Sequence, residues 1–204
     1  QVRELALEAD ILIENYKVGQ LAKYGLDAAS LQAINPRLIY CSITGYGQDG
    51  PLSHKAGYDF AIQAEAGLMS ITGDKGGEPQ KVGVAVTDLM TGLYAVTAIL
   101  ASLHERARTG HGRVIDASLF DVQVAMLANQ ASNQRIGRTN PTRMGNAHPN
   151  IVPYQVFPTL DGHMVLAIGN DGQFARFCAL AGDADLAQDP RFVTNAQRLG
   201  HRDE

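Results

Sequence analysis

The sequence predicts an α/β protein built on parallel strands, and three observations predict it. Twice before Gly50 a short helical stretch leads into an apolar, β-branched run that ends at a glycine turn. A third such run, "RVIDAS", follows a long apolar helical stretch. From Thr139 to Asn150 the character changes to a polar, turn-rich loop, after which short strands and helices predict a second, smaller α+β part.

In chain order, "RELALEAD" reads as a short helix and "DILIEN" as the first strand, with a turn at Gly19. "SLQAIN" is a helix stopped by Asn35-Pro36, because a residue before proline leaves the helical region. "RLIYCSIT" is the second strand, and "GYGQDG" a glycine-rich loop. "GYDFAIQAEAGLMSITG" has helical spacing, and "KVGVAVTD" is an extended lead into a long helix that starts at Asp88. That helix ends at Gly110 after the basic turn "HERARTG", as the helix dipole favours. "RVIDASLFDVQVAMLANQASNQRIG" is a strand feeding one further helix. "VPYQVFPTLDGHMVLAIGND" reads as a hairpin turning at Asp161-Gly162, "GQFARFCALAG" as a short helix, and "NAQRLGHRDE" as the middle of a polar helix. Domain boundaries follow: 1–125 in a large domain, 126–145 as a linker and 146–204 in a small one.

Of 204 residues, 45 % are hydrophobic and 19 % charged, enough for a sizeable core. The formal net charge of −4 and the scattered basic residues argue against a nucleic-acid partner. The apolar run Leu89–Leu103 is interrupted by Thr91, Gly92, Thr97 and Ser102 and is too short to span a bilayer, so no membrane partner is expected. Cys41 and Cys178 sit in apolar stretches and read as small core residues. The six histidines show no metal-binding spacing, and no G-x-S-x-G motif supports serine hydrolase chemistry. The first residue is Gln1, inside a helical pattern, so the chain reads as a piece of a longer one.

Four places carry candidate chemistry. Asp88, at the head of the long apolar helix, is either an N-cap or a presented nucleophile, and the stretch alone leaves both open. "SITGYGQDG" could cradle a phosphate or be a plain loop. Lys17 and Lys23, beside Tyr16 and Tyr24, follow the carboxyl end of a strand, where open α/β sheets bind ligands; they are phosphate partners or solvated surface lysines. Lys55, Tyr58 and Asp59 open a helix, with Asp59 readable as its cap.

Taken together and in order, "ADILIENYKVGQLAKYGL", "RLIYCSITGYGQDGP", "KAGYDFAIQAEAGLMSITG", "GVAVTDLMTGLYAVTAILASLHERARTGHGRVIDASLFD" and "GNAHPNIVPYQVFPTLDGH" resemble the class III CoA-transferases, which include formyl-CoA and carnitine CoA-transferases. The wording is nearest to members that move CoA from succinyl-CoA to glutarate or hydroxymethylglutarate. The resemblance implies an incomplete Rossmann-like large domain, the start of a smaller one, and an interlocked homodimer whose chains are about twice this length. It implies Asp88 as the nucleophile, held ionised by the helix dipole and forming an aspartyl anhydride and then an aspartyl-CoA thioester. It places Asp59 and Tyr58 near the reaction centre, and Asn15, Tyr16, Lys17, Lys23 and Lys55 against CoA. Gly145, Asn146 and His148 fall in the place of a loop that covers the active site. The partners implied are an acyl-CoA and a small carboxylic acid, with no prosthetic group and no metal, in the cytoplasm or, in a eukaryote, the mitochondrial matrix. An arginine to bind the acceptor carboxylate is Arg135, Arg138 or Arg143, of which Arg143 is preferred. A related racemase activity needs a second base, and the position that would hold histidine is Tyr58, a poor base near neutral pH. A non-catalytic relative that only binds acyl-CoA is the third reading.

Overall fold

The three β-branched runs pair with one another in the computed structural model, which describes residues 1–204. β1 (Ile11–Glu14), β2 (Ile39–Thr44) and β3 (Val114–Ser118) form a parallel sheet in that order, with Ile11 opposite Ile39 and Tyr40 opposite Val114. Alternation along β2 divides the core between two faces. Ile39 and Cys41 pack with Ala95 and Ile99 of α5 (Val86–Thr109), whereas Leu38 and Tyr40 pack with Ala6 of α1 (Val2–Glu8) and Leu31 of α2 (Ala28–Gln32). Both faces of the sheet are therefore covered, as a parallel sheet requires. Leu31, Leu38 and Ile39 are fully buried, each stabilising the fold by about 1.5–3 kcal/mol before entropy. Asn35, expected only as a helix stop, also ties α1 down: its Nδ2 donates to the Ala6 and Ala9 carbonyls at 2.9 and 3.0 Å.

α5 ends where expected but starts earlier. It starts at Val86 rather than Asp88, with Ala85 in the cap position. It runs to Thr109 and stops at Gly110, whose φ of 78° lies in the left-handed region. At 24 residues it is long and apolar enough, by length and composition alone, to cross a membrane, where the shorter run Leu89–Leu103 was read as too short. Its buried stripe nevertheless rests on the sheet. That stripe, Thr87, Thr91, Ala95, Ile99, Ser102 and Arg106, is mostly small, which lets the helix lie close to the strands, and the Thr91 and Ser102 hydroxyls are satisfied by carbonyls one turn earlier. Arg106 does more than complement the dipole: its Nη1 donates to the carbonyls of Asp10 and Arg37 and its Nη2 to Asp10 Oδ1 at 2.8 Å, joining the helix end to the starts of β1 and β2. The other face carries Leu89, Leu93, Val96 and Leu100, each more than half exposed.

Two expected helices are each broken in two. Gly67, with φ 95°, separates α3 (Asp59–Glu65) from α4 (Leu68–Ile71). α6 (Leu119–Met126) and α7 (Ala128–Arg135) part at Leu127, with Ala128 at φ 47°. The lead before α5, expected as extended chain, pairs with no strand, and Val82 donates its N–H to Gln63 Oε1 instead. The loop after β2 meets the start of α3 backbone to backbone: a Cβ on Gly45 would stand 2.5 Å from the Gly57 Cα. Glycine at both positions is thus a packing requirement.

The chain divides into two units, Gln1–Thr72 with Pro79–Pro141, and Gly73–Glu78 with Thr142–Glu204. Residues 126–141, expected within a linker, belong to the first unit because α7 follows α6 after a single residue. In the second unit β4 (Tyr154–Thr159) and β5 (Gly162–Ala167) form the antiparallel hairpin, with Thr159 opposite Gly162, so the two turn residues are Leu160 and Asp161 rather than Asp161 and Gly162. α8 (Asp171–Leu180) supplies Phe174 and Cys178 to a core with Ile168 and Ala187. α9 (Asn195–Gly200) ends at Gly200, and it turns one polar residue inward. Its Arg198 is 1 % exposed, lies over the Phe174 ring and donates to Val152 O, Phe192 O and Asp171 Oδ1 at 2.7, 2.7 and 2.8 Å.

Replacing Arg198 with methionine keeps the volume but takes the side-chain donor from two partly buried carbonyls and the ion pair from Asp171, which keeps its bond from Asn195 N. Arg198→Met is expected to destabilise the second unit by about 2–3 kcal/mol, seen as a lower denaturant midpoint. A midpoint within error of the parent would show that the guanidinium is not what holds this unit together.

Candidate active site

A cleft of about 620 Å³ opens at the carboxyl ends of β1 and β2, beside the first turns of α3 and α5. Parallel α/β sheets place their ligands at this edge, because there the strands end in loops that can diverge. Asn15, Tyr16 and Lys17 line it from the end of β1, Lys55, Tyr58 and Asp59 from the start of α3, and Asp88, Thr91 and Gly92 from α5.

The cap question at Asp88 has its answer in another residue. Ala85 has no side-chain oxygen to cap α5, and Asp88 lies in the first turn. The free N–H groups of that turn are taken by Asp59, whose Oδ1 accepts from Thr87 N at 2.8 Å and Asp88 N at 3.3 Å. Asp59 therefore does not cap its own helix, where Tyr58 holds the cap position, but caps α5 from 28 residues away. Its Oδ2 accepts from Gln63 Nε2 at 2.7 Å, and Gln63 is fully buried.

Asp88 is left with a carboxylate that accepts no hydrogen bond from the protein, facing the cleft beside Gly92. Its pKa is raised, first by burial of the carboxylate and second by the charge of Asp59. The helix dipole, expected to favour its ionised form, is therefore opposed by partial desolvation and by a like charge. An exposed carboxylate of raised pKa with no donor bonded to it is more basic, and so a better nucleophile, than one held by hydrogen bonds.

The remaining residues of the cleft are held by polar contacts that sequence reasoning missed. Glu14 accepts from Tyr16 N at 2.7 Å and from the buried Ser42 hydroxyl, fixing the turn that carries Asn15, Tyr16 and Lys17. Lys55 lines the cleft but is already paired, its Nζ 2.5 Å from Glu65 Oε1 and over the Tyr46 ring. Thr87 Oγ1 donates to Gln123 Oε1 at 2.5 Å, both residues being fully buried. The glycine loop after β2 turns its N–H groups inward, Gly47 N to Thr44 Oγ1 and Gln48 N to Asp116 Oδ2, so these two are not offered to a phosphate.

Not every predicted residue joins this cleft. Lys23 sits in the 3₁₀ turn Leu21–Tyr24 and is not part of its lining. Gly145, Asn146 and His148 lie in the second unit. There the His148 N–H donates to Tyr154 O, its Nδ1 accepts from Asn150 N at 3.0 Å and its ring stands against Tyr154, so this side chain has a structural task.

The sequence profile of CoA-transferase family III matches residues 1–204. The chain belongs to this family. Over its whole length the family III chain is 54 % identical to a succinate–glutarate CoA-transferase of Agrobacterium fabrum, covering 51 % of that protein, and 48 % identical to the succinyl-CoA:glutarate CoA-transferase of Mus musculus, covering 47 %. An acetyl-CoA:oxalate CoA-transferase of Acetobacter aceti is 40 % identical over 98 % of the chain. A CAIB/BAIF family protein from Brucella suis, 55 % identical, superposes with a TM-score of 0.80 over 99 % of this chain and 53 % of its own. The family III chain thus spans about half the length of the curated relatives it matches.

Removing the charge of Asp59 removes one of the two causes that raise Asp88. If the carboxylate of Asp88 must be ionised to react, the acid limb of kcat/KM in the full-length protein lies above the ordinary value of an aspartate, and activity falls as pH drops through it. In Asp59→Asn that limb moves to lower pH, while the amide oxygen still caps α5. A limb that stays put in this variant would remove Asp59 as a cause. Because the folded state disfavours ionised Asp88, Asp88→Asn is expected to raise Tm at pH 7 relative to the parent, and a fall would contradict the direction of the shift.

Proposed function

We propose that the full-length protein is a CoA-transferase that moves CoA from succinyl-CoA to a dicarboxylic acid, with Asp88 as the covalent nucleophile. The observation that carries this reading is the carboxylate of Asp88, presented to the cleft without a hydrogen-bond donor of its own and freed from capping by Asp59. The names of its similar relatives, several of which pair succinyl-CoA with an acid, support the substrate class.

In the proposed sequence Asp88 Oδ attacks the thioester carbonyl, the C–S bond breaks and CoA leaves as thiolate, giving an aspartyl–acyl anhydride. The thiolate attacks the aspartyl carbonyl and releases the donor acid as carboxylate, leaving an aspartyl-CoA thioester. The acceptor carboxylate attacks that thioester, and the steps run in reverse to give the new acyl-CoA and free Asp88. Each exchange trades one activated acyl bond for another of similar energy, which is why covalent relay suits it. Gly92 and Thr91 leave space beside the carboxylate, and N–H groups of the surrounding loops are candidates to receive the oxyanions. Asn15, Tyr16 and Lys17 are proposed to hold CoA, with Lys23 as an outlying contact and Lys55 acting through its pair with Glu65. The assembly proposed is a homodimer. The isomerase reading has less to work with, since Asp59 is bonded to three donors and Tyr58 is the other candidate base at this helix start.

Incubating the full-length protein with succinyl-CoA, quenching and digesting it is expected to give a CoA adduct on the peptide that holds Asp88. The adduct should be absent in Asp88→Ala, with transfer to glutarate abolished while CoA binding is kept. Turnover near the parent's in Asp88→Ala would end the nucleophile assignment. Lys17→Ala should raise KM for the acyl-CoA several-fold with kcat little changed, as loss of uniform binding does; an unchanged KM would put the phosphate contact elsewhere.

A further inference from the structure

We propose that the second unit holds an anion-binding site of its own, lined by Lys75, Arg143 and Arg202, which takes a carboxylate or phosphate group. A cleft of about 520 Å³ brings these three cations together, and Asp203 is the one carboxylate in its wall. Thr142, Asn146 and Gln155 add neutral hydrogen-bonding groups, and Met144 and Val156 an apolar wall against which a short methylene chain would fit.

Arg202 is the strongest part of the argument. Its Nη2 donates to the carbonyls of His148 and Pro149 at 2.7 and 3.3 Å, while its Nη1 is buried with no acceptor. No carboxylate lies within salt-bridge distance of its guanidinium. A buried charged donor without an acceptor is unfavourable, and an anion that pairs with the same guanidinium relieves it. Burial also draws its pKa below the usual guanidinium value, against the opposing charge of Asp203.

The other two cations are held where an anion could meet them. Arg143 Nε donates to Gly77 O at 2.9 Å, and Gly145 N to Gly73 O at 2.9 Å, so the segment Gly73–Glu78 is fastened beside Arg143. That segment brings Lys75 to the cleft, although its neighbours on both sides in the chain belong to the first unit. Lys75 meets Asp203 at 3.3 Å in a pair that is mostly exposed, and such pairs exchange readily for a better-placed anion. Like charges gathered on one wall, with one acid to offset them, make an electrostatic trap for an oxyanion.

This proposal does not depend on the reaction at Asp88. The test is calorimetric titration of the full-length protein with sodium glutarate and, separately, with inorganic phosphate. Arg202→Gln is expected to weaken binding of the better probe about tenfold or more. Because Arg202 also bonds two carbonyls, two exposed changes accompany it: Lys75→Ala should weaken binding about threefold, and Asp203→Asn should tighten it about threefold. Binding of glutarate with this pattern assigns the site to a carboxylate; binding of phosphate with the same pattern assigns it to a phosphate group. Equal affinity in the parent and all three variants, or no binding of either probe, overturns the proposal. The adduct at Asp88, read on the same proteins, tests the transferase assignment separately.

Discussion

Two backbone N–H groups at the start of α5 need an acceptor that their own helix cannot supply, and the Asp59 carboxylate provides it. Much of the first unit is arranged around that contact. It fixes α3 against α5, and the Asp59–Gln63 bond together with Gln63 Oε1 on Val82 N steers the lead into the long helix. The same contact leaves Asp88 unused by the backbone and subjects it to a neighbouring negative charge. At the far end Arg106 clamps the helix to the strand starts, so α5 is held at both termini by charged groups and along its middle by small side chains. A carboxylate on its first turn is thereby placed by a rigid element, which is the condition for precise chemistry.

The elements that could be read directly are those governed by local rules. The β-branched runs of β1, β2 and β3 announced strands, Gly110 announced the end of α5, and the paired runs around Asp161 announced a hairpin. Asp88 and Asp59 each carried a recognisable helix-start signal, but the signal did not say which helix Asp59 serves, because the bond to Thr87 joins residues that only the folded chain brings together. Ala128 has no composition-level reason to adopt a positive φ, so the break between α6 and α7 was invisible. Gln63 and Gln123, which no local rule marks as core residues, are fully buried, their partners being a backbone N–H at Val82 and the hydroxyl of Thr87. Lys55 was read as free to meet a phosphate because its acidic partner, Glu65, lies a helix away.

Arginine plays a similar part in each unit and was underestimated in both. Arg106 and Arg198 are nearly inaccessible, and each distributes its donors over two backbone carbonyls and one carboxylate. The planar guanidinium suits this because it can satisfy several acceptors from separate segments at once, which a lysine ammonium on a flexible stem does less well. Sequence pattern places such residues on a polar helix face. Only the packing shows that this face is turned inward.

The touching backbones of Gly45 and Gly57 set how the cleft can change shape. One belongs to the loop after β2 and the other to the approach to Tyr58 and Asp59, so the gap between these two walls is a main-chain separation with no side chain in between. Rotamer changes cannot widen or narrow it. Any adjustment to a bulkier occupant has to come from the opposite wall, where Tyr16 and Lys17 stand, or from movement of whole segments. Variation in the width of the cleft among descendants of such a sequence would therefore be found in the residues after β1 and not around this glycine pair, whose spacing acts as a fixed gauge.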